Sequence, residues 1–483
     1  MEVAFVGSGI GSLTAALLLT KQGKKVTIYE RKNDLGGRLA YQEGGGYRID
    51  QGPTMVLLPE MLLGILEEAG IDRSRIPLIE CDPLYRIHYA DGTVLHKWRN
   101  RQKQVEELNR RFPEDVEGFN RYMRDMEDAF IQGRAAFLEK AFLRKRDFYT
   151  LRNVSLLTKL KAYSNVRAFA ARYFRSEKLQ DAFSLQTLYI GGAPFQSPGL
   201  YTLLPYAEHA FGIWYVKGGY ARLVSILEAE LEKRGVALRK STSIEGIMTE
   251  KGRCIGVKTA DEAEYRHEAV VFNGDFPHLG KLLPKVKLPS RTYKPSSGTV
   301  LIYLGLQKRW PQAAAHQFFL PEDLTRGLKE IFRKGQLPED PSFYVFYPCA
   351  IDDDAAPPGE SVMYILAPAP PVGSVDWEAE LPAFVDHVLH EAEKRGFPGL
   401  KEAMKWKEVR SPQDAEADGL YQGGSFGIAP TLDQSALFRP QMVPSRIEGL
   451  YAVGASIHPG GGIPIVMQGA KLLANYLLNE EEE

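Results

Sequence analysis

The chain has 483 residues, a net charge of −1, 44% apolar and 25% charged side chains. That length exceeds what one hydrophobic core usually supports, so more than one domain is expected. The balanced charge excludes a general nucleic-acid binder, and no apolar run reaches the roughly 20 residues of a membrane span. Met1 and Glu2 run directly into Val3-Ala4-Phe5-Val6, an apolar stretch of buried-strand character. No basic leader precedes it, so no signal peptide is expected and a cytoplasmic location is predicted. The turn Gly7-Ser8-Gly9-Ile10-Gly11-Ser12 follows, then a helix over residues 13–19. Gly23 ends that helix among Lys21, Lys24 and Lys25, where cations suit the dipole. Val26-Thr27-Ile28-Tyr29 is the second strand, giving a strand–turn–helix–strand unit of the kind parallel strands require.

Residues 59–180 read as mostly helical and charged, and 183–220 are dense in aromatic residues and glycine. A helix is predicted over 221–234 and short strands over 236–273. Proline-rich stretches at 338–348 and 355–371 read as loops between strands of a second domain. An apolar strand at 450–453, a glycine cluster and a helix over 464–478 follow, and the acidic tail 480–483 is predicted to be disordered. Cys81, Cys254 and Cys349 form no Cys-x-x-Cys pair. They are expected to be buried small hydrophobes in a reducing compartment, with no metal site.

The glycine turn opening the first helix is the mark of a dinucleotide site. Gly7 permits the tight turn and Gly9 the close approach of backbone to a pyrophosphate. Ile10 and Gly11 begin a helix whose free N–H groups face the phosphates, and Ser12 stands at the third glycine position, where a small residue packs against the strand. Glu30 ends the second strand 21 residues after Gly9. Its carboxylate suits both ribose hydroxyls of an adenosine and repels a 2′-phosphate. Leu35-Gly36-Gly37-Arg38-Leu39, with Arg31 nearby, supplies a second bare backbone and a cation, and Asp50-Gln51-Gly52-Pro53-Thr54 a third compact turn. So many grips point to FAD rather than a diffusing nicotinamide nucleotide.

These segments resemble the amine-oxidase-like FAD superfamily and, within it, the bacterial-type carotenoid (phytoene and dehydrosqualene) desaturases. Further matches are Phe183-Ser184-Leu185-Gln186-Thr187-Leu188-Tyr189-Ile190-Gly191, Val216-Lys217-Gly218-Gly219 and the segment from Val453-Gly454-Ala455 through Gly460-Gly461-Gly462-Ile463-Pro464. Pro430-Thr431-Leu432-Asp433-Gln434-Ser435 and Asp147-Phe148-Tyr149 look like the dehydrosqualene (diapophytoene) desaturase branch. The resemblance runs the whole length and departs from the family's glycine pattern at Ser12.

It implies an α/β fold: a Rossmann-type FAD-binding domain in three pieces (1–75, 215–290 and 441–483), a helical cap and membrane-facing region (76–214) and an α+β substrate domain (291–440). It also implies stepwise removal of hydrogen from a linear polyene with FAD as hydride acceptor. Gly454 and Ala455 are then expected at the pyrophosphate or ribityl chain, and Gly462, Ile463 and Pro464 at the pyrimidine end of the ring system. Two alternatives on the same fold are an oxygenase of a terminal methyl and a flavin-dependent isomerase. A third, of another class, is a non-catalytic isoprenoid carrier.

Residues 134–178 hold twelve Lys or Arg against three acids, a local charge of +9, interleaved with Phe137, Phe142, Phe148, Tyr149, Tyr163, Phe169, Tyr173 and Phe174. With an oily substrate this predicts attachment to the inner face of the cell membrane. Tyr189, Phe195, Tyr201, Tyr206, Phe211, Trp214 and Tyr215 are expected to line an apolar tunnel. Glu208, His209, Asp275 and His458 are the polar groups nearest the matched motifs, and the sequence assigns no catalytic base.

Overall fold

Two sheets organise the chain, described here by a computed structural model over residues 1–284, 286, 291–373 and 375–479. The expectation for the tail 480–483 lies outside the described residues. The first sheet has five parallel strands in the order Leu450–Ala452, Ala269–Phe272, Glu2–Val6, Lys25–Tyr29, Ala237–Arg239. Successive side chains on a strand point to opposite faces, and both faces are covered here. Val3, Phe5, Val26, Ile28, Val271 and Tyr451 pack against the helices Ile10–Lys21, Tyr220–Lys233 and Ile463–Asn479. Ala4, Tyr29, Val270, Phe272 and Ala452 pack instead against Ile247, Cys254 and Val257 of an antiparallel three-stranded sheet. Double coverage explains why these strands read as unbroken apolar runs.

The second sheet has seven strands, in the order Met404–Arg410, Gly298–Leu306, Ser361–Ala369, Phe343–Phe346, His316–Phe319, Tyr85–His88, Val94–Lys97. Neighbours run antiparallel except His316–Phe319 with Tyr85–His88. Three expectations are corrected here. Residues 343–346, expected within the proline-rich loop 338–348, form the buried central strand Phe343–Phe346, paired on both sides. Residues 78–97, expected within a helical stretch, form three strands, because Tyr85–His88 alternates buried and half-buried positions with period two. Residues 361–369, expected as a proline-rich loop, form a nine-residue strand inside the sheet. Its run Val362-Met363-Tyr364-Ile365 packs on both faces, and Pro368 falls near the strand end, where a missing N–H is tolerated.

The helices Arg101–Arg111, Val116–Gly133, Leu151–Lys159 and Leu203–Phe211 share a core with this second sheet. Among the described residues no helix is long and apolar enough to cross a membrane. Cys81, Cys254 and Cys349 are free and buried.

Candidate functional site

The two sheets meet around one cavity of about 1090 Å³. All the predicted cofactor residues except Ser12 line it: Gly7, Gly9, Ile10, Gly11, Glu30, Arg31, Gly36, Gly37, Arg38, Gly52, Pro53, Thr54, Gly454, Ala455, Gly462, Ile463 and Pro464. Ser12 is fully buried one turn into the helix, where its backbone N–H donates to Asn273 Oδ1 at 3.1 Å.

The two N-terminal glycine turns are pressed together. Gly9 and Gly36 form a parallel bridge, and the Gly36 N–H donates to the Ser8 carbonyl at 3.0 Å. Gly36 has φ +100°, and a Cβ there would lie 2.8 Å from Val224 Cγ2, so only glycine fits. A Cβ on Gly37 or Gly462 would meet no protein atom closer than 3.7 Å and would instead fill cavity space. Bare backbone thus faces the void from both sides. The first turn of the helix Ile10–Lys21 adds free N–H groups and partial positive charge.

Glu30 is buried at the same end. Its Oε2 accepts the Ser8 N–H at 3.0 Å and the Ser8 hydroxyl at 2.6 Å, and its Oε1 accepts the Lys32 N–H at 2.9 Å. Arg38 reaches across the cavity wall, its Nη1 donating to the Ser425 carbonyl at 2.7 Å. Arg31 is exposed and donates to the Asp418 carbonyl. These residues fit an extended, doubly anionic dinucleotide: N–H donors and guanidinium groups for phosphate, and a carboxylate at the far end for ribose hydroxyls. The volume exceeds the roughly 300–1,000 Å³ of ordinary small-molecule sites. The lining continues past these residues into a second arm.

That second arm is oily. Leu185, Leu188, Leu200, Leu204, Phe318 and Leu366 line it, with Tyr189, Tyr201, Tyr344 and Tyr364. Of the aromatic residues expected to form a tunnel, Tyr189 and Tyr201 do so and the others are corrected. Tyr206 and Phe211 pack on Phe130 with ring centroids 5.6 and 5.1 Å apart, Tyr215 packs on Phe346, and Trp214 bonds the Phe211 carbonyl. Phe195 lies under Arg333. The rest of the wall comes from leucines of the helical segments 185–204 and from Phe318, Tyr344, Tyr364 and Leu366 on strands of the second sheet, which a local reading of residues 189–220 does not reach.

Among the polar groups, Glu208, Asp275 and His458 line the cavity and His209 does not. The His209 Nδ1–H donates to the Trp98 carbonyl at 2.8 Å, and burial holds this imidazole far below its ordinary pKa. The His458 Nε2–H donates to the Lys140 carbonyl at 2.8 Å, and burial lowers it to about 4, so it is neutral near pH 7. Asp275 accepts the Ser456 hydroxyl and the Tyr421 N–H.

Two groups carry no sequence signal. Arg439, buried against Gly460, donates to the carbonyls of Ala455 and Gln434 and leaves Nε without a partner at the cavity wall. A chain of hydrogen bonds runs from Thr54 Oγ1 through the Tyr344 hydroxyl to His316 Nδ1, with both links 2.7 Å. Burial pulls His316 down to about 3, so the imidazole stays neutral and accepts the hydrogen bond of the Tyr344 hydroxyl at the inner end of that chain.

A parallel sheet with a glycine turn at its first crossover marks a dinucleotide-dependent oxidoreductase, and here the site opens on an apolar slot. The family model described as flavin containing amine oxidoreductase matches residues 13–478, and the chain belongs to that family. FAD is therefore its cofactor.

It is 48% identical over 482 residues to a 4,4′-diapolycopen-4-al dehydrogenase of Metabacillus indicus, covering 100% of this chain and 98% of that one. A 4,4′-diapophytoene desaturase (4,4′-diaponeurosporene-forming) of Staphylococcus haemolyticus is 29% identical over 504 residues, covering 100% and 99%. An oxidoreductase from Methanosarcina mazei shares the fold, with a TM-score of 0.68 at 16% identity over the full length of both chains.

Proposed function

We propose that this enzyme is an FAD-dependent desaturase that introduces conjugated double bonds into a linear carotenoid precursor, dehydrosqualene (diapophytoene) or phytoene. The observation that carries it is the continuity of the cavity. One end is a cradle of bare backbone, and the other is a slot walled by leucine, phenylalanine and tyrosine. The desaturase among the relatives supports the same chemistry. Gly7, Gly9, Ile10, Gly11, Glu30, Arg31, Gly36, Gly37 and Arg38 would hold the cofactor, with Gly52, Pro53 and Thr54 on one side and Gly454, Ala455, Gly462, Ile463 and Pro464 on the other, while Ser12, buried behind them, braces the helix start through Asn273. They belong to the segments 1–75, 215–290 and 441–483, which we take as one FAD-binding domain in three pieces.

The bound flavin supplies the hydride acceptor. The chain supplies placement within roughly 3–3.5 Å and exclusion of water. Burial makes His316 and His458 weak bases, so neither is assigned the departing proton. No strong base is required, because the cation left by hydride loss is spread along the polyene.

A second reading has its own support. The relative at 48% identity is named for an aldehyde, not a hydrocarbon. Oxidation at the oxygenated end of a finished polyene would use the same cradle and slot. Expression in cells that make dehydrosqualene or phytoene separates the two. Desaturation turns a colourless precursor yellow to red, and mass analysis shows loss of hydrogen in pairs. A colourless culture with unchanged precursor would refute the desaturase, and conversion of a supplied polyenal to its acid would establish the second reading.

We also infer attachment to the inner face of the cell membrane. Phe142, Phe148, Phe169 and Phe174 of the basic segment are buried. Tyr149, Leu151, Val154 and Tyr163 stand exposed among its cations, and Arg134, Phe137 and Leu138 of the same segment line the cavity. An oily substrate would pass from lipid to slot there without crossing water.

A further inference from the structure

Arg439 is a buried charge without a counter-charge. It is 5% exposed and lines the cavity wall. Its guanidinium donates to two backbone carbonyls, Nη1 to Gln434 at 3.3 Å and Nη2 to Ala455 at 2.5 Å, and Nε has no partner. Among the described residues no carboxylate bonds it. Asp275 acts on it only through space, its two oxygens being taken by the Ser456 hydroxyl and the Tyr421 N–H. His458 beside it is neutral near pH 7. An ion buried without a partner is costly, and a guanidinium cannot shed its proton to escape the cost.

Gly460 places this charge. A Cβ there would stand 3.8 Å from Arg439 Nε and 3.9 Å from Cζ, with no protein atom nearer. The guanidinium therefore looks across the bare backbone of Gly460-Gly461-Gly462, which leads into the residues expected at the pyrimidine end of the ring system. Arg38 stands instead with Gly36 and Gly37, where the phosphates are expected. The two cations meet charges of different kind. The pyrophosphate is always anionic, whereas the ring gains its charge only on reduction. Hydride transfer breaks one C–H bond and forms one N–H bond, carrying an electron pair and one negative charge to the flavin. The substrate holds the positive charge until it releases a proton.

We propose that Arg439 is the counter-charge for the reduced flavin, a fixed cation whose ion pair is completed when the hydride arrives. A charge aimed in advance at the product of a step favours that step. Arg439 thus makes the bound flavin a stronger hydride acceptor, as a substrate without heteroatoms requires. The assignment rests on the ring lying against Gly460–Gly462, and not on which polyene reacts.

The test uses the purified FAD-loaded protein and needs no polyene. The two-electron potential of the bound flavin is measured against reference dyes in wild type, Arg439→Gln and Arg439→Lys. Removing the charge is expected to weaken the preference for reduced over oxidised flavin about a hundredfold, a fall of about 60 mV. Arg439→Lys keeps the charge without the planar fork and is expected to recover at least half of that fall. Sulfite gives a second reading. Its lone pair forms an N–S bond to the oxidised ring and leaves a negative charge there. Arg439→Gln should therefore need at least about tenfold more sulfite to bleach the flavin. A residue that only braces the loop, or one that pairs with the pyrophosphate, would weaken oxidised and reduced flavin alike. Lower FAD affinity with unchanged potential and sulfite binding thus overturns the proposal. If Arg439→Gln does not fold, wild type decides, and a bound potential no higher than that of free FAD overturns it. Wild type that binds no flavin sinks the cofactor reading itself.

Discussion

Asp50 holds the start of a helix that begins 170 residues later: its Oδ2 accepts the Tyr220 N–H and its Oδ1 the Ala221 N–H, both at 3.0 Å. A carboxylate at a helix N-terminus satisfies two otherwise orphaned donors. The contact also ties the Gln51-Gly52-Pro53-Thr54 turn to the helix Tyr220–Lys233, which packs on the first helix of the parallel sheet.

Burial raises the Asp50 carboxyl from 3.8 to about 7, the two N–H donors opposing it. The folded protein therefore holds this proton more firmly than the unfolded chain. Its contribution to stability is fully present below about pH 4 and is lost as pH rises through about 7. Asp50→Asn removes that slope and one acceptor contact worth about 1 kcal/mol. The variant should melt below wild type at pH 4.5, and the gap should narrow or reverse by pH 7.5. Thermal denaturation followed by circular dichroism checks this. A gap independent of pH would contradict the assignment.

Glu30→Gln should weaken FAD binding roughly tenfold, the loss of a charge-assisted hydrogen bond. FMN binding should change far less, because FMN has no adenosine ribose. Damage to the Ser8 and Lys32 contacts would lower both affinities alike, so the FAD-to-FMN ratio is the quantity to measure by flavin fluorescence. Equal losses would remove Glu30 from the ribose role.

The cradle was legible because its signals are local. The glycine turn, Glu30 and Gly36-Gly37 sit within one strand–turn–helix–strand unit, and strand period and turn chemistry act over a few residues. Asp50 stood in a quoted motif, but its partners Tyr220 and Ala221 lie on a distant helix. Asn273 and the Tyr344–His316 pair likewise owe their place to sheet register, and Arg439 to a loop folded onto Ala455 and Gly460. The strand Ser361–Ala369 was hidden by prolines that tertiary pairing tolerates. The aromatic run 195–215 misled because core packing and tunnel lining use the same rings.

Gly9 shows the same division. The sequence gives it room for a pyrophosphate; the structure adds a second reason. A Cβ there would fall 2.7 Å from Asn273 Oδ1, the acceptor for the Ser12 N–H, while Asn273 Nδ2 donates to the Val453 carbonyl at 2.8 Å. Gly9→Val should therefore purify colourless and melt several degrees lower, since this clash sits where three segments meet. A yellow variant with flavin bound one to one would refute both roles.

The membrane surface can be tested without the substrate. Leu151 is 93% exposed, and Val154, one turn along the helix Leu151–Lys159, is 49% exposed. Tyr163 is 72% exposed. Single exposed apolar residues are ordinary, but these share a segment with Lys145, Arg146, Arg152, Lys159 and Lys161. Changing Lys145, Arg146 and Arg152 together to Gln removes about 1 kcal/mol each of attraction to an anionic bilayer. Sedimentation with vesicles rich in anionic lipid should weaken by roughly 100-fold at low salt and less at high salt, where the charges are screened. Leu151→Ser should weaken binding at both salt concentrations, because its contribution is burial rather than charge. If neither variant changes sedimentation, this face is not the docking surface, and the polyene must reach the slot by another route.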